Sequence, residues 1–379
     1  MLKLYGKTDF KNISFEGWKL FYVTSNVNIP DILKNQYAFI TDNANYQKGF
    51  GSYLTFKEIK EDIPNLFILS DEYKYLSEGD IIRLDNKGGY ACIFRVSSRY
   101  NTLLLTEQCN HYCLMCSQPP KKQDDSWLLD QAFKIIEMIP KNTKWMGFSG
   151  GEPTLYGDGF ISLLRKTKLS LPNTGLDVLT NGRAFSEENF TKSIASADHP
   201  NCTFGIPLYS HDPDRHNYVV QAENAFDETI NGILNLKAYN QRVEIRVVIH
   251  KQTIDHLIET CRYITRNLIF VDHVALMGLE ITGFTRANLG KLWVDPYDYK
   301  DILSEAVNIL NQYDIPTSVY NHQLCTVNEN VLNNYQKSIS DWKNEYVDEC
   351  KGCQKINDCG GFFSSSKKYR YSDNIRPFK

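Results

Sequence analysis

Seven of the ten cysteines fall into two groups: Cys109, Cys113 and Cys116, then Cys325, Cys350, Cys353 and Cys359. Clustered cysteines in a reducing compartment bind metal more often than they form bridges. The first group, Cys109-x3-Cys113-x2-Cys116, follows the apolar run NTLLLT, which reads as a strand. Three thiolates on one loop can hold three irons of a cubane and leave one iron without a protein ligand. An open metal position is what a catalytic site needs, whereas a structural site is closed. The same spacing also fits a zinc knuckle completed by His111. The other three cysteines, Cys92, Cys202 and Cys261, stand alone in apolar or periodic surroundings and read as small buried hydrophobes.

A second stretch, Phe148-Ser149-Gly150-Gly151-Glu152-Pro153-Thr154, ends another apolar run. Paired glycines before Glu-Pro allow close backbone approach to a ligand while presenting main-chain donors and carbonyls. Alone it is a strand-to-helix turn; next to the cysteine loop it becomes specific. The histidines offer less. His211 and His216 flank the SHDPDRH loop near the expected substrate face, while His250 and His256 read as strand-end and helix-surface residues. No Ser-His-Asp or His-Glu-x-x-His pattern supports a hydrolase.

The elements around these loops follow a regular rhythm from Asn101 onward. Strand-like runs (NTLLLT, KWMGFS, LDVLT, TFGIPLY, VEIRVVIH, HVALMGLEI) alternate with helical runs such as SWLLDQAFKIIEMI, with Asp125 or Ser126 as its N-cap. Strands alternating with helices of this length argue for βα units and a parallel sheet. Six strands are too few for a closed eight-stranded barrel, so an open partial barrel is expected, with its loops at the carboxyl ends of the strands. Before it, KLFYVT, YAFIT, NLFIL and the hairpin signal Asp85-Asn86-Lys87-Gly88-Gly89 predict a β-rich domain. That domain carries no ligand cluster, and reads either as a partner- or substrate-binding module or as a stabilising cap. After it and the barrel, YDYKDILSEAVNILNQY predicts a helix stopped by Pro316. The short irregular tail with its four cysteines calls for a metal staple. SSSKK reads as a solvated turn. The domains expected are therefore 1–97, 98–295 and 296–379.

Composition sets the outer limits. The 379 residues are 42% hydrophobic, 23% charged and 13% aromatic, with a formal net charge of −3. These totals fit an ordered globular protein and give no electrostatic reason to expect nucleic acid or an acidic membrane as partner. With no long apolar run and no signal-like start, a cytoplasmic location is expected.

The cysteine loop and GGEP together resemble the signature of the radical S-adenosylmethionine enzymes, over roughly residues 101 to 285. The resemblance implies an α/β fold built as a partial (βα)6 barrel and a [4Fe–4S] cluster on Cys109, Cys113 and Cys116. It also implies S-adenosylmethionine chelating the open iron, with an external electron donor for its cleavage. Carried over residue by residue, Gly150, Gly151 and Glu152 match the segment that meets the cofactor's amino group. Asn181 in LTNGR matches a polar position near the cofactor, Ser210 follows the fourth strand, and Arg246 on the fifth could pair with the methionine carboxylate. A turn Asn, a loop Ser and a salt-bridged core Arg are equally good readings of those three. Met115 stands where an aromatic residue usually packs near adenine.

The tail, Cys350-x2-Cys353-x5-Cys359-Gly360-Gly361, resembles part of the SPASM and twitch extensions of peptide-modifying radical enzymes. That resemblance implies one auxiliary [4Fe–4S] cluster, with Cys325 as fourth ligand; a zinc site with four thiolates fits the same spacing. More narrowly, LLLTEQCNHYCLMCSQPPK, FSGGEPTL, IPLYSHDPDRHNYVV, SISDWKNEY and CGGFFSS resemble the radical maturases of His-Xaa-Ser peptide systems. This implies a ribosomally made polypeptide with His-Xaa-Ser repeats as substrate and a second radical enzyme as partner. Two other classes compete: a radical enzyme acting on a nucleotide or small metabolite, and a non-catalytic zinc-binding protein.

Overall fold

The structure, a computed structural model, describes residues 2–42, 46–337 and 344–379. Of the SISDWKNEY stretch, only Asn344, Glu345 and Tyr346 lie among the described residues. Two compact units form: residues 2–102 with 137–140, and residues 103–136 with 141–379. The tail from residue 296 thus belongs to the same unit as the barrel strands.

The N-terminal unit is a mixed sheet of β1 (Tyr5–Lys7), β2 (Asp9–Lys11), β3 (Trp18–Thr24), β4 (Tyr37–Ile40), β5 (Ser52–Thr55), β6 (Leu66–Ile68), β7 (Ile81–Asp85) and β8 (Gly89–Phe94). Its strand order is β1-β8-β7-β3-β4-β5-β6-β2. The β7–β8 hairpin forms at the expected turn. Asp85 accepts the main-chain N–H groups of Lys87 and Gly89, both at 2.8 Å, and Gly88 takes φ +78°. Phe21, Leu54, Phe67, Ile82 and Tyr90 fill one core, each contributing roughly 1.5–3 kcal/mol by burial.

The second unit carries the alternating rhythm. Its strands are β9 (Asn101–Leu104), β10 (Trp145–Ser149), β11 (Gly175–Leu179), β12 (Cys202–Pro207), β13 (Arg242–Ile249), β14 (His273–Gly278) and β15 (Thr317–Tyr320). They lie side by side in chain order, with β10 to β15 paired in parallel. The expected six strands are all present, and β15 extends the sheet by one. Four residues after Pro316 are too few to show a period, which is why sequence patterning passed over them. Because β9 and β15 remain the two edges, the sheet is open rather than a closed barrel.

The crossovers are α1 (Trp127–Met138), α2 (Asp158–Ser170), α3 (Glu188–Ala195), α4 (Pro213–Val220), α5 (Ala225–Ala238) and α6 (Leu257–Asn267). Helix α6 shows how they seat: Leu257, Cys261 and Ile264 recur on one face and are buried. The lone Cys261 is thus a core hydrophobe, and burial pushes its thiol up to about 12. Helix α4 was not foreseen. Asp212 accepts the Asp214 N–H and Pro213 takes the first position, so the SHDPDRH segment is a helix start. Two single-turn helices, α7 (Phe284–Ala287) and α8 (Leu289–Leu292), lead to α9 (Lys300–Gln312). SSSKK, expected as a turn, is instead α10 (Ser364–Tyr369).

Candidate metal centre

The loop carrying Cys109, Cys113 and Cys116 leaves the carboxyl end of β9 and is gripped from three sides. Helix α4 ends beneath it, and its orphan carbonyls at Val220 and Val219 accept the N–H groups of Tyr112 (3.1 Å) and Leu114 (2.9 Å). From the other side the segment after β14 takes three consecutive carbonyls. Asn288 Nδ2 donates to Leu114 O at 2.9 Å, Thr285 Oγ1 to Met115 O at 3.1 Å, and Phe284 N to Cys116 O at 2.8 Å. Gly283 makes that approach possible: it takes φ +51°, and a Cβ there would stand 2.3 Å from Cys116 O. The third grip is Asp125, expected as a helix cap. Its carboxylate instead accepts Thr106 Oγ1 (3.0 Å), the Glu107 N–H, Gln108 Nε2 (3.2 Å) and Tyr156 Oη (3.2 Å). The loop outbids the helix because it offers more donors to one buried carboxylate.

The GGEP segment lies against this loop by its backbone. Gly151 N donates to Thr106 O and Glu152 N to Gln108 O, both at 2.8 Å. A Cβ on Gly150 would meet Thr106 O at 2.6 Å, and one on Gly151 would meet Gln108 O at 2.0 Å. Glu152 is fully buried and accepts four hydrogen bonds: Thr154 N (3.0 Å), Thr154 Oγ1 (2.7 Å), Thr180 Oγ1 (2.7 Å) and Asn181 N (2.6 Å). Burial pushes its pKa up, against the pull of those donors. Its carboxylate therefore joins two strand ends. Asn181 Nδ2 in turn donates to Asn110 Oδ1 at 2.6 Å, tying the β11 end to the cysteine loop.

The structure brings the three cysteines, Gly150, Gly151, Glu152 and Asn181 into one constellation. Met115 is buried beside Tyr209, Val219, Val220 and Leu292. Ser210 is wholly buried; its hydroxyl shares a hydrogen bond with His256 Nδ1 at 3.2 Å and accepts Asp212 N at 3.1 Å. Arg246 Nε lies 3.2 Å from Glu244 Oε1 on β13. Both residues are thus already engaged by the protein. Arg246 still shares the loop's neighbourhood, because buried Tyr209 feels the charges of Cys113, Cys116 and Arg246 together. Glu244 continues into a chain, its Oε2 2.8 Å from His273 Nδ1, whose Nε2 is 3.0 Å from Ser318 Oγ. Asp177, half-buried near Glu244 and Arg246, is pushed up to about 6, chiefly by desolvation and then by Glu244. His250, fully buried, is driven down to about 3 by desolvation.

Asn110, Thr285 and Asn288 were not singled out from sequence, and Asp125 only as one of two candidate helix caps. Only the CN dipeptide at Cys109-Asn110 was within a quoted motif, and nothing local marks the other three as partners of the loop.

The donor set fits a thiolate-bound cluster. Burial pushes Cys109 up to about 11 and raises Cys113 and Cys116, with the neighbouring thiols adding to it for Cys109 and Cys113. Buried, mutually repelling thiols of this kind are relieved when metal charge replaces their protons. The His111 N–H points at Cys109 Sγ, 3.4 Å away. In the tail, Cys325, Cys350, Cys353 and Cys359 line a single pocket with Tyr346, Ile375 and Phe378. Cys359 Sγ there receives the N–H groups of Leu324 (3.5 Å) and Gly361 (3.4 Å). Among the described residues, no three His, Cys, Asp or Glu side chains stand at the spacing of ligands to a single ion. Thiolates that each hold a different iron of a cubane need no such convergence. The tail turn is anchored near the end of β15: Gln323 Nε2 donates to Gly361 O (2.8 Å), Gly360 N to Tyr335 Oη (2.7 Å), and Tyr335 Oη to His322 O (2.7 Å).

An open parallel sheet with a three-cysteine loop at one strand end and a glycine-rich turn at the next defines a metal-dependent α/β protein. Residues 103–264 match the family model of the Radical SAM superfamily, so this segment is a Radical SAM domain. The family of that domain implies a [4Fe–4S] cluster and binding of S-adenosylmethionine. The chain is 28% identical over 131 residues to a curated protein named "Probable GTP 3',8-cyclase" from Methanocella arvoryzae, covering 34% of this chain and 40% of that one. It is also similar to the structure of native anSMEcpe with bound AdoMet and Kp18Cys peptide (18% identity, 57% of this chain, 63% of that chain, TM-score 0.44). The FeFe-hydrogenase maturase HydG from Carboxydothermus hydrogenoformans is a further likeness (11% identity, 63% of this chain, 58% of that chain, TM-score 0.45). The chain thus spans less than two thirds of each of these relatives. Among the described residues, no helix is long and apolar enough to cross a membrane.

Proposed function

We propose that this chain is a radical S-adenosylmethionine enzyme that modifies a ribosomally made polypeptide with His-Xaa-Ser repeats, working with a second radical enzyme and an external electron donor. When bound, the cluster and S-adenosylmethionine supply a 5′-deoxyadenosyl radical able to take a hydrogen atom from the substrate. The chain's own part is to hold three thiolates of one loop at fixed spacing and to leave one iron free. Asp125, the α4 terminus and the segment 283–288 do this by taking up the loop's polar backbone. The main chain of the glycine turn lies beside that loop and would meet the cofactor's methionine end, with Glu152 and Asn181 holding it rigid.

The observation that carries the peptide reading is the second cysteine set. Four thiols gather in one pocket of the tail, which is anchored near the carboxyl end of β15, the same end of the sheet as the cysteine loop. A closed auxiliary [4Fe–4S] cluster there would fold the irregular tail and could accept an electron from a substrate radical.

Two tests decide the reading. Anaerobically purified protein should be brown and carry iron at both cysteine sets; colourless protein loaded with zinc would sink the enzyme reading. With S-adenosylmethionine, reductant and candidate polypeptides, a mass change on a His-Xaa-Ser polypeptide supports the proposal. A nucleotide substrate is the second reading, drawn from the cyclase-named relative that matches 131 residues of this chain. Turnover of GTP with unchanged polypeptide would favour it.

A further inference from the structure

Parallel sheets covered on both faces read as continuous apolar runs, yet β13 alternates. Val243, Ile245 and Val247 are wholly buried, while Glu244 and Arg246 point the other way with side chains 22% and 18% exposed. His273 on β14 is the registered neighbour of Glu244, and Ser318 on β15 is that of Ala275, two residues further along. They share the one face of the sheet that water reaches. Gly205 on β12 makes room for it: a Cβ there would lie 3.2 Å from Arg246 Cδ and 3.7 Å from Glu244 Oε1.

Three of these residues form a continuous hydrogen-bonded chain. Glu244 Oε2 lies 2.8 Å from His273 Nδ1, and His273 Nε2 lies 3.0 Å from Ser318 Oγ. Desolvation opposes ionisation of Glu244, but the His273 hydrogen bond and the Arg246 charge hold its pKa below the ordinary value. It is therefore a carboxylate at neutral pH and can only accept. The proton of neutral His273 then sits on Nδ1, Nε2 keeps its lone pair, and the Ser318 hydroxyl donates to it. When the ring takes a second proton, Ser318 need only rotate its O–H to accept from Nε2, and Glu244 meets the new charge. The ring gains and loses a proton without any side chain leaving its place. The other charged groups of this face are Asp177 on β11 and Arg242 and Arg246 on β13; β14 and β15 add none.

Resting on the radical-enzyme reading above, we propose that Ser318, His273 and Glu244 are the proton acceptor of the reaction. The substrate C–H gives its hydrogen atom to the adenosyl carbon. Oxidation of the substrate radical then releases one electron, which the tail cysteine set is argued to receive. It also releases one proton, from the atom that makes the new bond to that carbon. Ser318 Oγ takes this proton while passing its own to His273 Nε2, and Glu244 holds the imidazolium as a positioning residue. Ser318 stands two residues before the carboxyl end of β15, roughly 7 Å of strand. That is the end of the sheet that carries the cysteine loop, and a substrate side chain entering there reaches the hydroxyl.

The test uses full-length, cluster-loaded protein with S-adenosylmethionine, reductant and a His-Xaa-Ser polypeptide, beside ring-15N histidine NMR of the same protein in its oxidised state. NMR should show neutral His273 protonated at Nδ1 and bare at Nε2. His273→Gln identifies the resonance, and it keeps hydrogen bonding without basicity. It should lower kcat for product about 10²-fold, leave KM unchanged and raise the ratio of 5′-deoxyadenosine to product. Wild-type kcat should fall at low pH, where His273 is protonated beforehand. In Glu244→Gln that acid limb should move to lower pH, because the imidazolium has lost its counter-charge; Glu244→Asp should recover part of the shift. A bare Nδ1 in the wild type, wild-type kcat in His273→Gln, or an unmoved limb in Glu244→Gln each overturns the inference and leaves the radical-enzyme reading intact. Wild-type protein that gives no modified polypeptide removes the reading beneath it instead. Should His273→Gln fail to fold, the resonance is assigned by its shift in Ser318→Ala, and the wild-type tautomer and the Glu244→Gln profile decide.

Discussion

A Cβ built on Gly151 would stand 2.0 Å from the carbonyl oxygen of Gln108. The glycine is needed by the cysteine loop itself, one residue before Cys109, and not only by whatever ligand the turn meets. Gly151→Ala should therefore push the loop away, at an overpacking cost of about 1–3 kcal/mol. Iron at the loop should fall and S-adenosylmethionine binding with it, while iron at the tail stays. Gly157→Ala is the control: its Cβ meets nothing within 4 Å, so only the backbone, at φ +51° and ψ −118°, is strained, at about 1–3 kcal/mol. Calorimetry and iron analysis showing a fully loaded Gly151→Ala protein of unchanged affinity would defeat the prediction.

Glu152→Gln tests the buried carboxylate that joins β10 to β11. Its four donors include two main-chain N–H groups that cannot turn away. An amide NH2 facing one of them breaks a bond and leaves a donor unpaired, costing on the order of 2–4 kcal/mol. Thermal unfolding should show the loss; a variant as stable as the wild type would mean that the strand ends do not depend on this group.

Asp177→Asn should make stability less dependent on pH. Its folded pKa is about 6 against an ordinary 3.8, raised by burial and by Glu244. The folded state therefore holds this proton more tightly than the unfolded one. Wild-type stability should fall as pH rises from about 4 to about 6 and stay low above, a loss on the order of 2–3 kcal/mol from this group. The variant should gain over the wild type at pH above 6 and lose that advantage near pH 4. Parallel pH profiles for the two proteins would count against it.

Cys353→Ala should separate the two cysteine sets. The variant should still form 5′-deoxyadenosine slowly but give no modified polypeptide, because the tail thiolates are argued to serve the substrate rather than the cofactor. Cys109, Cys113 and Cys116 replaced together by Ala should do the reverse, ending cofactor cleavage while the tail keeps its iron. Normal product from a Cys353→Ala protein shown to lack the tail cluster would end the redox role.

The sequence by itself carried the chemistry whose geometry is local. Ligand spacing along one loop, two glycines before Glu-Pro, and strands alternating with amphipathic helices are short-range patterns. They were enough to name the cysteines, the turn that faces them and the open parallel sheet. The hairpin at Asp85–Gly89 was legible for the same reason: its turn residues bond to their own neighbours.

What only the tertiary structure decided is how the loop is held. Thr285 reaches Met115 across 170 residues, and Asn288 reaches Leu114 across 174. No local pattern encodes a partner at such a distance. Asp125 sat where a helix cap was expected, yet its carboxylate went to Thr106, Glu107 and Gln108, because folding brought more donors to it from the loop than from the helix. Strand β15 was too short to announce itself and forms because β14 supplies its ladder.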